Sequence, residues 1–184
     1  MIFKLLVLGD YGTGKTTLFN QLLQSIPEAQ KKPSIKLELI EFPRNIDGKE
    51  ITVNVFDIPG RELSSENRSK HYMNTVGAII LFDISRPDTF RHAPFWLEEL
   101  MNYNGIGKVP VLLVGNKADL RETSQRTLNP IDAQEYVFRL NRTTRVDGVE
   151  NIFHELSAKS GKGLALIIDE LLKAIIKHQE ILSS

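Results

Sequence analysis

The chain has 184 residues, with 23 basic and 23 acidic side chains and no cysteine. That length fits one domain, which buries about 70% of the surface its unfolded chain would expose, and a formal net charge of zero argues against nucleic acid as the principal partner. The missing cysteine rules out disulfides, thiolate metal sites, cysteine nucleophiles, and prenyl or palmitoyl anchors. The opening Met1-Ile2 offers no glycine for myristoylation, and the first apolar run carries Lys4 and is too short for a signal peptide or a membrane span. A cytoplasmic protein without its own membrane anchor is expected, recruitment to membranes being left to partners.

Residues 2–8 are rich in Val, Ile and Leu and run into glycine, so they read as a buried parallel strand. A helix is expected from Thr16 to about Gln24. Residues 25–34 are polar and resist assignment, which suggests a surface loop. Residues 36–42 and 50–57 flank Asp47-Gly48, the strongest short hairpin signal, and predict two antiparallel neighbours at one side of the sheet. Residues 76–83 and 109–115 repeat the buried-strand pattern. Between them, residues 94–103 read as a helix whose Trp96, Leu97 and Leu100 belong to packing. Asn129 followed by Pro130 marks the cap and first position of another helix. Residues 141–150 read as a second polar loop and 152–156 as a short strand. Over residues 163–182, Leu164, Ile167, Ile168, Leu171, Leu172, Ile175 and Ile176 recur at helical spacing and make a core-facing stripe. Strands alternating with helices in this way predict a parallel α/β sheet, mixed on its hairpin side.

The chemistry is concentrated at strand ends. Strand 2–8 runs directly into Gly9-Asp10-Tyr11-Gly12-Thr13-Gly14-Lys15-Thr16, a complete G-x-x-x-x-G-K-[ST] loop placed between a strand and a helix, as its mechanism requires. Glycines let the backbone curl so that successive N–H groups face phosphate oxygens at the positive end of the helix. Lys15 then reaches the β- and γ-phosphates, and the Thr16 hydroxyl ligates Mg²⁺. The base is read elsewhere, by Gly115-Asn116-Lys117-Ala118-Asp119, beyond the carboxyl end of strand 109–115, where open α/β sheets bind their ligands. The Asp119 carboxylate accepts only, so it can take two parallel N–H bonds from N1 and N2 of guanine, a pair adenine lacks. The Lys117 stem can cover one ring face, and a backbone N–H within Ser157-Ala158-Lys159 can meet guanine O6. Asp57-Ile58-Pro59-Gly60 ends the strand after the hairpin. There an aspartate can hold Mg²⁺ through water, and Gly60 can bring a backbone N–H to the γ-phosphate. Each motif alone has a bland reading, such as a glycine-rich turn or a helix-capping loop; their common order and spacing make the functional reading stronger.

With the three motifs in this order, the chain resembles the Ras superfamily of small GTPases over nearly its whole length. His71-Tyr72-Met73, the run from Gly77 to Ser85, Asp88-Thr89-Phe90 and Trp96-Leu97-Glu98-Glu99-Leu100 look most like the Rab branch, while the run from Gly14 to Leu18 suits Arf-like proteins equally well. The resemblance implies a P-loop G-domain of α/β class over residues 1–184, with a six-stranded mixed sheet and about five helices. Switch I would span about 27–37 and switch II about 58–73. GTP or GDP would be bound by Tyr11, Gly12, Thr13, Gly14, Lys15, Thr16, Thr17, Ser34, Gly60, Asn116, Lys117, Asp119, Ser157, Ala158 and Lys159. Mg²⁺ would be held by Thr16, Ser34 and, through water, Asp57. The hydrolytic set would be Lys15, Ser34, Gly60 and Arg61, and effector and regulatory proteins would engage the two switches.

Several residues depart from the family pattern. In Pro33-Ser34-Ile35, Ser34 stands where the family has a threonine; it keeps the hydroxyl and loses the methyl group that fixes its rotamer. Ser25-Ile26-Pro27-Glu28 lacks the aromatic residue that stacks on guanine. Tyr11 occupies a position where small residues are the rule, so its ring lies over the phosphates or swings to solvent. Arg61 replaces the glutamine that positions the attacking water. His71, His92, His154 and His178 show no carboxylate or metal-ligand spacing and read as surface or structural residues. Two functions follow: a regulatory GTPase with slow hydrolysis, or a GTP-dependent protein-binding module whose hydrolysis is negligible. A metabolic kinase would need an acceptor pocket and a lid, and no stretch of the sequence offers them.

Overall fold

The structure is a computed structural model that describes residues 1–34, 37–60, 64–144 and 148–184. Seven strands among the described residues form one sheet: β1 (Ile2–Gly9), β2 (Gln30–Lys32), β3 (Glu38–Ile46), β4 (Lys49–Asp57), β5 (Gly77–Asp83), β6 (Val111–Asn116) and β7 (Ile152–Glu155), in the spatial order β2-β3-β4-β1-β5-β6-β7. The hairpin strands β3 and β4 are antiparallel, and β4, β1, β5, β6 and β7 run parallel. Asp47 and Gly48, both with positive φ, make the two-residue turn between β3 and β4 that a right-twisted hairpin favours.

The expected six strands become seven because β2 pairs antiparallel with β3 inside the segment read as loop 25–34. It is a short edge strand, Gln-Lys-Lys, with no apolar alternation to announce it. It is held by pairing and by exposed ion pairs from Lys31 to Glu38 and Lys32 to Glu41. β3 also runs past Phe42, where the sequence reading stopped at Pro43. Pro43 pairs with Thr52 of β4, while β2 covers only Leu39 to Glu41, so at Pro43 the other side of β3 is a free edge where a missing N–H costs no ladder bond.

The helices are α1 (Lys15–Ser25), α2 (Ser65–Ser69), α3 (Pro87–Arg91), α4 (Ala93–Tyr103), α5 (Pro130–Thr144) and α6 (Leu164–Ser183). Ser64 caps α2 by accepting from the Asn67 N–H, and the Asn129 side chain accepts from the Ile131 N–H at the start of α5. α5 continues into the stretch read as loop 141–150. Among the described residues no helix is long and apolar enough to cross a membrane.

Side chains alternate across the sheet and build two cores. Leu5 and Val7 of β1 face one side with Leu18, Phe19 and Leu22 of α1 and with Ile168, Leu171, Leu172 and Ile175 of α6. Leu6 and Leu8 face the other side with Tyr72, with Trp96, Leu97 and Leu100 of α4, and with Ala133 and Val137 of α5. β5 is buried along its whole length, as a central parallel strand must be. Covering both faces at once fixes the carboxyl ends of β1, β4, β5 and β6 along one rim, which is where the motif residues lie.

Candidate functional site

The loop after β1 curls over the rim and ends at Gly14, from which α1 starts at Lys15. Gly14 has φ 98°, and a Cβ there would fall 2.2 Å from Nδ2 of Asn116, so both conformation and space require glycine. No side chain caps α1, which leaves its first backbone N–H groups directed at the rim, where an anion is favoured. Lys15 is buried and donates to the Asp10 carbonyl at 3.0 Å, which lays its ammonium along the inside of the loop.

A cleft of about 700 Å³ opens here, lined by Tyr11, Gly12, Gly14, Lys15, Thr16, Thr17, Leu37, Glu38, Asp57, Pro59, Gly60 and Lys117. The Thr16 hydroxyl donates to Oδ2 of Asp57 across 3.1 Å, joining the start of α1 to the end of β4. A hydroxyl and a carboxylate side by side are hard oxygen donors of the kind Mg²⁺ takes, so the residues present fit that ion. Tyr11 is 73% exposed and stands at the mouth of the cleft it helps to line. Ser34 is exposed in the segment after β2 and is not among the described residues that line the cleft. Arg61 lies outside the described residues.

The second half of the site is tied to the first through one side chain. Asn116, buried at the end of β6, donates from Nδ2 to the Thr13 carbonyl (2.8 Å) and accepts at Oδ1 from the Ala158 N–H (2.8 Å). The same residue thus fixes both the phosphate loop and the Ser157-Ala158-Lys159 segment. Lys117 follows in the left-handed conformation, φ 67°, and its ammonium pairs with Asp83 Oδ2 at 2.6 Å. That stretches the lysine stem toward the end of β5, while Asp119 stands exposed in the 3-10 turn Ala118–Arg121.

Asp83 was not singled out from the sequence. It is buried and accepts from Ser85, Arg86 and Lys117. Burial pushes its carboxyl upward, but the bonds from Lys117 and Ser85 outweigh that and hold it below the usual aspartate value. Arg86 also donates to the Tyr11 carbonyl at 2.7 Å and lies against Gly12, bracing the phosphate loop from outside. Two of the four histidines read as lacking carboxylate spacing gain carboxylate partners by folding: His92 Nδ1 meets Asp10 Oδ2, and His154 Nε2 meets Glu170. Trp96 is packed in the core as expected, and its indole N–H also reaches Asp10.

A depression of about 790 Å³ between α5 and α6, lined by Phe138, Arg142, Lys177 and Ile181 among others, is remote from these loops and contains neither the glycine loop nor a helix N-terminus.

The family model described as "Ras family" matches residues 4–177. The chain is 32% identical over 161 residues to "Ras-related protein Rab11E" of Lotus japonicus, covering 84% of this chain and 72% of the relative. It is 30% identical over 159 residues to "Ras-related protein RABA1c" of Arabidopsis thaliana (84% and 73%) and 32% identical over 161 residues to "Ras-related protein Rab11B" of Nicotiana tabacum (84% and 73%). The matched span begins in β1, reaches the last helix and takes in every motif described above, so the chain belongs to the Ras family and is a Rab-like small GTPase.

Proposed function

We propose that the protein is a guanine-nucleotide switch that binds GTP or GDP with Mg²⁺, hydrolyses GTP slowly, and recruits effector and regulatory proteins through residues 27–37 and 58–73 while GTP is bound. The observation that carries the reading is Asn116, which holds the phosphate loop and the 157–159 segment in one arrangement and directly precedes Lys117 and the turn that carries Asp119. In that role the α1 N-terminus and Lys15 bind the β- and γ-phosphates, Asp119 selects guanine, and Lys117 covers the ring. Thr16 and Ser34 would hold Mg²⁺ directly and Asp57 through water. The ion supplies charge neutralisation on the transferring phosphoryl group. Gly60 presents a backbone N–H to the γ-phosphate, which is how the region after β4 distinguishes GTP from GDP.

Arg61 favours a second reading, a GTP-dependent binding module with negligible hydrolysis, because guanidinium has no acceptor with which to orient water. One experiment separates the two: single-turnover release of phosphate from pre-bound GTP, with the purified protein alone and with cell extract. Release in either condition supports the enzyme, and retention of intact GTP in both supports the module. Failure to bind either guanine nucleotide in the presence of Mg²⁺ would overturn both.

A further inference from the structure

The phosphate loop and Gly60 are gripped by the same face of one helix. Pro94 cannot continue α3, since it lacks an N–H and its ring would meet the carbonyl four residues back, so the chain breaks at His92 and restarts as α4. The break places His92, Trp96 and Glu99 at i, i+4 and i+7, on one stripe of side chains. His92 and Trp96 both reach the carboxylate of Asp10, the second residue of the phosphate loop; Trp96 Nε1 donates to Oδ1 at 2.9 Å. Glu99, buried with its ring of donors, accepts from Arg68 at 2.8 and 2.9 Å, from Tyr72 at 2.7 Å and from Ser65 at 2.9 Å.

Arg68 closes the chain of contacts. Its Nη1 donates to the Gly60 carbonyl at 3.0 Å, and its guanidinium lies over the Trp96 ring, 5.0 Å from the centroid. Gly60 in turn rests directly on the phosphate loop: a Cβ there would come within 3.2 Å of the Tyr11 nitrogen and 3.3 Å of the Lys15 ammonium. Asp10, Trp96, Arg68 and Gly60 therefore form a continuous path, and Trp96 is held on its edge by the phosphate loop and on its face by the group that holds Gly60. Buried, charge-assisted bonds of this kind have discrete arrangements and do not stretch gradually.

We propose that Trp96, with His92, is a positioning residue that couples the phosphate loop to Gly60, so that the carbonyl grip of Arg68 on Gly60 changes with the phosphate the loop holds. The proposal rests on the guanine-nucleotide reading given above. Turning the Gly60 N–H toward a γ-phosphate rotates the peptides around it, which shifts Arg68 on the Trp96 face and transmits to Asp10.

Trp96 is the only tryptophan in the chain, so the wild-type protein reports on the path directly. Its emission is to be compared with Mg²⁺ and GDP and with Mg²⁺ and a non-hydrolysable GTP analogue. The proposal requires the intensity or wavelength to differ between the two states. The second measurement uses fluorescently labelled GDP and GTP analogue and the ratio of their dissociation rates, a quantity that general loss of stability moves little. Asp10→Ala, Arg68→Lys and the double variant form a cycle in which the ratio should depart from the product of the single effects by more than about threefold. Arg68→Lys keeps the buried charge opposite Glu99, so that variant folds even where a neutral one would not. Identical emission in the two states, or independent single effects on the ratio, overturns the coupling. A protein that binds neither labelled nucleotide overturns the switch reading instead.

Discussion

Asn116 and Thr13 are joined by a hydrogen bond of 2.8 Å between the end of β6 and the middle of the phosphate loop, 103 residues away in the chain. With the Ala158 N–H on its other terminus, the amide can be replaced by nothing that lacks both a donor and an acceptor. Asn116→Ala strands two buried backbone groups, so it should destabilise the protein by about 2–3 kcal/mol. Urea unfolding should show a lower midpoint at unchanged slope. Labelled GDP should also leave faster, because both loops lose their common tether. An unchanged midpoint together with unchanged release would remove Asn116 from this role.

Guanine selection is assigned to Asp119, whose exposed carboxylate stands in the turn after Lys117. Asp119→Asn sets an N–H donor against the N1–H and N2–H₂ donors of guanine, so GTP binding should weaken by about 3 kcal/mol, more than a hundredfold. Xanthine nucleotide carries a carbonyl at that edge and should gain relative to GTP. Competition of both nucleotides against labelled GDP measures the two effects together, and equal GTP affinity in wild type and variant would refute base reading by Asp119.

Acid should weaken the protein through Glu99. Burial raises the Glu99 carboxyl, yet the bonds from Arg68, Tyr72 and Ser65 prevail and hold it below the ordinary value of 4.5. A carboxyl depressed in the folded state contributes stability that is present above 4.5 and is lost as pH falls through the folded value. Thermal midpoints should therefore fall below that pH, and less so in Glu99→Gln, which cannot titrate. At neutral pH Glu99→Gln should be less stable by about 3 kcal/mol, since Arg68 keeps an acceptor and loses its countercharge. The gap between the two proteins should narrow in acid; a constant gap would assign the acid response to other groups.

How much of this was legible in the sequence depends on the distance over which each signal acts. The phosphate loop, the Asp57 segment and the Asn116 to Asp119 segment declare themselves because their chemistry needs fixed spacings within a few residues. The apolar stripe of the last helix and the Asp47-Gly48 turn are equally local. β2 is invisible because Gln30, Lys31 and Lys32 carry no apolar alternation, and the strand exists only through its pairing with β3. The partnerships of Asp10 with His92 and Trp96, of Arg68 with Glu99, and of Asp83 with Lys117 join residues 82, 86, 31 and 34 positions apart. No periodicity records such pairs. Buried charge is the one clue a sequence could have offered, and it is clear only for Asp83, which ends the apolar run GAIILFD; in WLEEL nothing local tells the exposed Glu98 from the buried Glu99.

In the reading proposed above, the rate of hydrolysis turns on Arg61, which the resemblance in sequence aligns with the glutamine that accepts a hydrogen bond from the attacking water. A family member acting without a stimulating partner turns over at about 3–5 × 10⁻⁴ s⁻¹. Arg61 has five donors and no acceptor, so it cannot hold the water, and the wild type should release phosphate more slowly than that. Arginine can also stabilise charge on a transferring phosphoryl group when supplied from the same chain, an effect of opposite sign. The two differ in when the contact is made. An arginine that pairs with the γ-phosphate in the bound state strengthens GTP binding without lowering the barrier, whereas one that forms its bond only as charge develops accelerates the reaction. Arg61→Gln restores an acceptor and should be faster than wild type, while Arg61→Ala, which restores none, should stay slow. Single-turnover rates of the three proteins at saturating Mg²⁺ decide the matter: a wild type faster than both variants would make Arg61 catalytic and exclude the binding-module reading.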